Sequence, residues 1–179
     1  MNFIARECRA ADLVIVGANK SGAILDTSLD LDPGDFLMQA GRPVLVVPPE
    51  VESLKAETIV IGWKESREAR RAVLDALPLL QACRSAIVAE VDEIGDSAAA
   101  LDHVEDVAVW LRRHGIEADT AIIPATQDAA LHLDTLAWGE GADLIIAGGY
   151  GHSRFREWFL GGVTRDLLTK TPRCSLMSH

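Results

Sequence analysis

Leu144-Ile145-Ile146-Ala147-Gly148-Gly149-Tyr150-Gly151-His152-Ser153-Arg154, followed by Leu160-Gly161-Gly162-Val163-Thr164, is the stretch whose reading decides the fold. The apolar run 144–147 predicts a strand buried on both faces, as in parallel sheets. It runs into glycines spaced G-x-x-G, then nine residues, then G-G. Strand, glycine loop and helix start together make an anion cradle: glycine lets the backbone approach closely, and free N–H groups at a helix N-terminus point at the charge.

Part of this stretch occurs twice. Ala11-Asp12-Leu13-Val14-Ile15-Val16-Gly17 matches Ala142-Asp143-Leu144-Ile145-Ile146-Ala147-Gly148. Each is followed by a proline opening a further strand, Pro43 to Pro48 and Pro172 to Met177. Asp12 and Asp143 are 131 residues apart, Pro43 and Pro172 129, a period that means a duplicated domain and not a solenoid. The sequence therefore divides into residues 1–49, the C-terminal half of a first domain; 50–57, a linker of prolines and charges; and 58–179, a complete domain. Two readings of the half-domain stand: a larger tandem chain cut short, or a natural extension packed on the main domain. Its strands would expose an edge, so 43–47 is expected to pair with the last strand, 174–178, of the same or a second chain.

In the complete domain, strands are expected at 58–62, 85–91, 118–123, 144–147 and 174–178. Helices are expected at about 66–82, capped by Ser66 and bent at Pro78, and at 97–113, 127–140 and 162–170. Gly115 is expected as a left-handed cap. Alternating strands and helices predict a parallel sheet covered on both faces, with ligands at the carboxyl ends of the strands. The loops after the first and fourth strands meet there, bringing Trp63, Lys64, Glu65 and Ser66 to the glycine run.

Composition excludes several functions. A net charge of −10 provides no basic face for nucleic acid. No apolar run reaches the roughly 20 residues of a membrane span, and no leader pattern opens the chain. Cys8, Cys83 and Cys174 have no paired spacing, which fits a reducing cytoplasm and core roles. His103, His114 and His132 lack metal spacing, and the acidic turn of Asp92, Glu93 and Asp96 reads as solvated. There is no G-x-x-x-x-G-K-[S/T] loop, no G-x-G-x-x-G after a strand and no His and Asp spaced as partners for Ser66. No catalytic residue is expected.

Residues 57–179 resemble a universal stress protein domain, through Ile59 to Ala69, the Ala142 to Ile146 strand and the glycine loop; residues 9–48 resemble the back half of another. The resemblance implies an α/β fold of the adenine-nucleotide alpha-hydrolase-like kind: an open parallel five-stranded sheet in order 3-2-1-4-5, preceded here by a β-α-β half-domain. It also implies a cytoplasmic stress-response regulator that binds ATP, with magnesium, without rapid turnover, and a homodimer through the last strand. A regulatory protein partner would read the ligand state. Carried over by position, Gly148, Gly151, Gly161 and Gly162 line the phosphate path, Val163 and Thr164 add helix-start N–H groups, and Ser66 matches. His152 and Arg154 would screen phosphate charge or form salt bridges in a solvated loop. Trp63 would wall the base pocket or pack at the domain edge. The chain departs from the family at Lys64, where an Asp is usual, at Glu65, where a Gly is usual, and at Gly162, where a hydroxyl residue is usual. These departures support two alternatives, a nucleotide-free structural or dimerisation member, or a weak ATPase.

Overall fold

The computed structural model describes residues 6–18, 33–93, 95–124, 128–149, 166–167 and 171–179. After a 3₁₀ turn at Cys8–Ala10 come β1 (Val14–Gly17), α1 (Pro33–Ala40) and β2 (Val44–Val47). Then follow β3 (Thr58–Trp63), α2 (Arg67–Asp75), α3 (Leu77–Ala82), β4 (Ser85–Asp92), α4 (Ser97–Arg113), β5 (Ala118–Pro124), α5 (Ala129–Gly139), β6 (Leu144–Gly148) and β7 (Cys174–Ser178). Of the helix expected at 162–170, the described residues are Asp166 and Leu167, both helical.

All strands join one sheet in the order β1-β2-β7-β6-β3-β4-β5. The stretch β5-β4-β3-β6-β7 is the expected 3-2-1-4-5 arrangement, parallel throughout. The sheet has seven strands and not five, because β2 pairs antiparallel with β7 and carries β1 with it. An isolated two-stranded half would leave its backbone groups unpaired, and joining the main sheet removes one of its two edges. The pairing expected for 43–47 is thus made within the chain. It occupies the outer edge of β7, so the homodimer expected through the last strand has no open edge there.

The repeat is visible in the register. With a single shift of 131 residues, Val14 opposite Val44 becomes Ile145 opposite Ser175, and Ile15 opposite Leu45 becomes Ile146 opposite Leu176. The strand-exit bond repeats too: Ala18 N–H donates to Val47 C=O at 2.8 Å, as Gly149 N–H does to Ser178 C=O at 2.8 Å. At the antiparallel junction Leu45 faces Leu176, its own counterpart, so the two halves meet about a local pseudo-twofold.

Side chains alternate between two cores. Ile59, Ile61, Trp63, Leu144, Ile146 and Leu176 meet Ala69, Val73, Val104 and Leu111 of α2 and α4. Val60, Ile145, Met177, Val16 and Val46 meet Leu37 of α1 and Leu133 and Ala137 of α5. This is why the central strands read as unbroken apolar runs. All three cysteines are free; Cys8 and Cys174 are buried, and burial, reinforced by the Asp143 charge, pushes the Cys174 thiol up.

One local reading needs correction. The helix expected over 66–82 is two helices, divided at Ala76, because Pro78 has no N–H and its ring collides with the carbonyl of Leu74. The 50–57 segment has no regular structure and is anchored: Asp143 Oδ2 accepts the N–H groups of Lys55 (2.9 Å) and Ala56 (3.2 Å). Elsewhere the caps are as expected. Gly115 has φ +78, and Ser66 Oγ accepts the Ala69 N–H at 3.1 Å. Ser66→Ala is expected to cost about 1 kcal/mol through this lost cap. Thermal melting checks it, with an expected fall of about 2–4 °C for a chain of this size.

Candidate functional site

Strand polarity brings the carboxyl ends of β3, β4, β6 and β7 together. Gly62 of β3 lies beside Ala147 of β6, Trp63 beside Glu90 of β4, and Gly148 beside Ser178 of β7. Of the residues singled out in the sequence, Trp63, Lys64, Ser66 and Gly148 lie here. Gly151, His152, Arg154, Gly161, Gly162, Val163 and Thr164 lie outside the described residues.

Gly148 is forced by packing. A Cβ on it would lie 2.5 Å from the Ala69 nitrogen and 2.7 Å from the Glu68 carbonyl carbon. The β6 backbone therefore presses directly on the first turn of α2, and the glycine run starts from that contact. Ser178 is in the same register position on β7 and belongs to the same face. Its hydroxyl is buried and, among the described residues, has no hydrogen-bond partner. His179 Nδ1 lies 3.1 Å from the Gly149 carbonyl oxygen.

The N-terminus of α2 is already served by the chain itself. Ser66 caps it, and the Glu68 carboxylate is buried in its first turn. Burial pushes the Glu68 carboxyl up. The hydrogen bonds from Arg67 and from its own backbone N–H, with the Arg67 and His179 charges, outweigh this and hold it below the usual carboxylate range. Lys64, a cation at this end of the sheet, donates to Glu93 Oε2 at 2.7 Å. Glu65 is paired with Arg70. The departures from the family pattern at 64 and 65 are thus each matched by a neighbour of opposite charge.

Trp63 is 8% exposed and packs in the core beneath α2 and α4, which favours the packing reading of this residue. Its indole N–H has no partner among the described residues. Asp92 accepts from Asp96 N–H (2.9 Å) and Ser97 Oγ (2.6 Å), so it fastens the start of α4. No group of three metal-ligating side chains occurs among the described residues.

Sequence reasoning missed the Glu90–His103 pair. His103 Nδ1 is 3.2 Å from Glu90 Oε2, across from β4 to α4. The alternation of β4 places Glu90 toward α4, but nothing in the spacing names His103 as its partner. Burial pushes the Glu90 carboxyl up, His103 pulls it back by hydrogen bond and charge, and the Glu65 charge adds to the rise. A raised folded-state pKa means that the folded chain binds more protons than the unfolded one. This group then favours folding below the ordinary glutamate value, and that contribution is lost as pH rises through the folded-state value. Glu90→Gln is expected to remove this step from the stability–pH curve just above the ordinary glutamate range; urea melts across that range check it.

No protein-family model matches the chain, and no curated protein does. Solved structures do match. A universal stress protein from Archaeoglobus fulgidus is similar over 97% of this chain and 63% of its own, at 18% identity with a TM-score of 0.73. A putative universal stress protein from Pseudomonas aeruginosa is similar over 98% and 66%, at 16% identity and TM-score 0.64. A universal stress protein from Lactobacillus plantarum is similar over 64% and 92%, at 15% identity and TM-score 0.53. This chain spans less than two thirds of the length of the first two. No helix among the described residues is long and apolar enough to cross a membrane. The seven-stranded sheet, its order around β3 and the glycine run leaving β6 give this chain the fold of the universal stress proteins.

Proposed function

We propose that this chain acts as a universal stress protein, a cytoplasmic stress-response regulator that binds ATP with magnesium at the glycine run and does not turn it over rapidly. The observation that carries the reading is the exit of β6: the G-x-x-G run begins where Gly148 locks onto α2, beside the end of β3, at the ligand-binding end of an open parallel sheet. Ser66 and Glu68 occupy the α2 terminus themselves, and the residues that the resemblance assigns to the phosphate path, Gly148, Gly151 and Gly161 to Thr164, are the proposed cradle. Bound ATP would supply a triphosphate charge for that loop to hold; the chain's own part is to bind and orient it and to alter a partner surface.

A second reading, a nucleotide-free structural member, is favoured by Lys64, which is neutralised by Glu93, and by the crowd of carboxylates at this end: Glu65, Glu68, Glu90, Asp92 and Glu93. The test is to denature freshly purified protein, chromatograph the released nucleotide, and titrate ATP and magnesium by calorimetry. Stoichiometric nucleotide or micromolar binding, lost in Gly161→Val, supports the nucleotide reading. No nucleotide and no heat supports the structural one.

A further inference from the structure

Charge is spread unevenly over the ligand-binding end of the sheet. The glycine run leaves β6, whereas carboxylates gather on the other side of β3: Glu65 follows β3, Glu90 and Asp92 lie on β4, and Glu93 follows β4. Two cations beside them are engaged, Lys64 with Glu93 and Arg70 with Glu65. This field repels phosphate on the β4 side of β3 and favours a neutral, hydrogen-bonding part of a ligand there.

Within the group, Glu90 differs from its neighbours. Asp92 is spent on the start of α4, accepting from Asp96 N–H and Ser97 Oγ. Glu65 and Glu93 are each paired with a cation. Among the described residues the hydrogen-bond partner of Glu90 is His103, whose Nδ1 lies 3.3 Å from Oε1 and 3.2 Å from Oε2. One ring nitrogen thus steadies both oxygens from the α4 side. An ionised carboxylate has about four acceptor positions, and a single N–H leaves most of them open. The Glu90 side chain is 13% exposed, so it is held in place without being sealed in.

Glu90 also stands level with the end of β3. Register sets it beside Trp63, the last residue of that strand. The Trp63 indole N–H is buried and has no partner among the described residues. Adjacent residues of one row therefore carry an acceptor with open positions and a donor with none to meet. A hydroxyl answers both, because it donates and accepts at once; an ammonium group has no acceptor to offer.

We propose that Glu90 is a specificity-determining residue of the nucleotide site, accepting hydrogen bonds from the vicinal hydroxyls of the ribose, with His103 as its positioning residue. The inference rests on the reading of the glycine run as the phosphate cradle. An acidic side chain takes a ribose hydroxyl in the same way in dinucleotide-binding sheets.

Calorimetric titration of the full chain with magnesium and either ATP or 2′,3′-dideoxy-ATP tests this. The parent is expected to bind ATP about tenfold or more tightly than the dideoxy analogue, the usual order for hydrogen bonds to a charged acceptor. Glu90→Met, which keeps the length of the side chain and removes its acceptors, is expected to bring the two affinities within about twofold of each other, with the loss falling on ATP. Glu90→Gln is the second variant and is expected to narrow the ratio in the same direction. His103→Ala is expected to narrow it too, and His103→Gln, which retains a donor, to restore it; a merely structural role would move both affinities together. Circular dichroism confirms that each variant is folded. A parent that binds both nucleotides equally overturns the proposal and leaves the phosphate cradle standing. So does a ratio that Glu90→Met leaves unchanged. A parent that binds neither overturns the cradle reading and this inference with it.

Discussion

Gly148→Ala is expected to lower stability by about 3 kcal/mol, the upper part of the usual range for overpacking. That corresponds to a fall in Tm of about 6–12 °C for a chain of this size. The added methyl meets backbone and not a flexible side chain: the Ala69 nitrogen at 2.5 Å, the Glu68 carbonyl carbon at 2.7 Å and the Ala69 Cα at 2.9 Å. Neither side yields easily. β6 is hydrogen-bonded to β3 and β7, and the first turn of α2 is held by Ser66 and carries Ala69 into the core. Relief must come from displacing α2, which shifts the start of the glycine run as well. Differential scanning calorimetry measures the stability loss. A melting temperature equal to that of the parent would show that β6 and α2 are not locked together.

Leu176→Ala is expected to cost about 2–5 kcal/mol, the range for deleting a buried leucine. Leu176 is 1% exposed and stands between Leu45 of the half-domain and Ile146 of the main domain. The cavity therefore opens in the row that joins the halves. Because the sheet is continuous, the whole chain is expected to unfold in one transition, shifted as a unit, with no early loss of residues 6–49. Urea unfolding followed by circular dichroism and by tryptophan fluorescence checks this, since all four tryptophans lie after residue 49. Two probes that separate in the variant, with only the fluorescence holding its midpoint, would show that the half-domain melts alone.

The strands were legible for one reason. Each central strand is buried on both faces, so its residues are apolar without interruption, and glycine or proline marks the exits. The repeat was legible because both copies solve the same local problem, an aspartate lead-in, a buried strand and a glycine exit. Ser66 and Gly115 were legible as caps because capping is set by residues within one turn of each other. The division of the expected 66–82 helix at Ala76 was legible only in part: Pro78 announced a disturbance, and the packing of Leu80 into the core settled it as a break.

Local pattern thus determined the α/β class, the caps and the glycine run at the end of β6, all of which depend on residues near one another in the chain, while the strand order around β3 was expected from the family resemblance. Only the tertiary structure decided the rest. Lys64 meets Glu93 and Glu90 meets His103 because strand ends converge, a relation that no spacing records. Glu68 is a surface residue by composition and a buried carboxylate in fact, because β6 closes over the first turn of α2. The pairing of 43–47 with the last strand was expected from their exposed edges; that it closes within one chain, Leu45 against Leu176 across 131 positions, to make a seven-stranded sheet was decided by the tertiary structure.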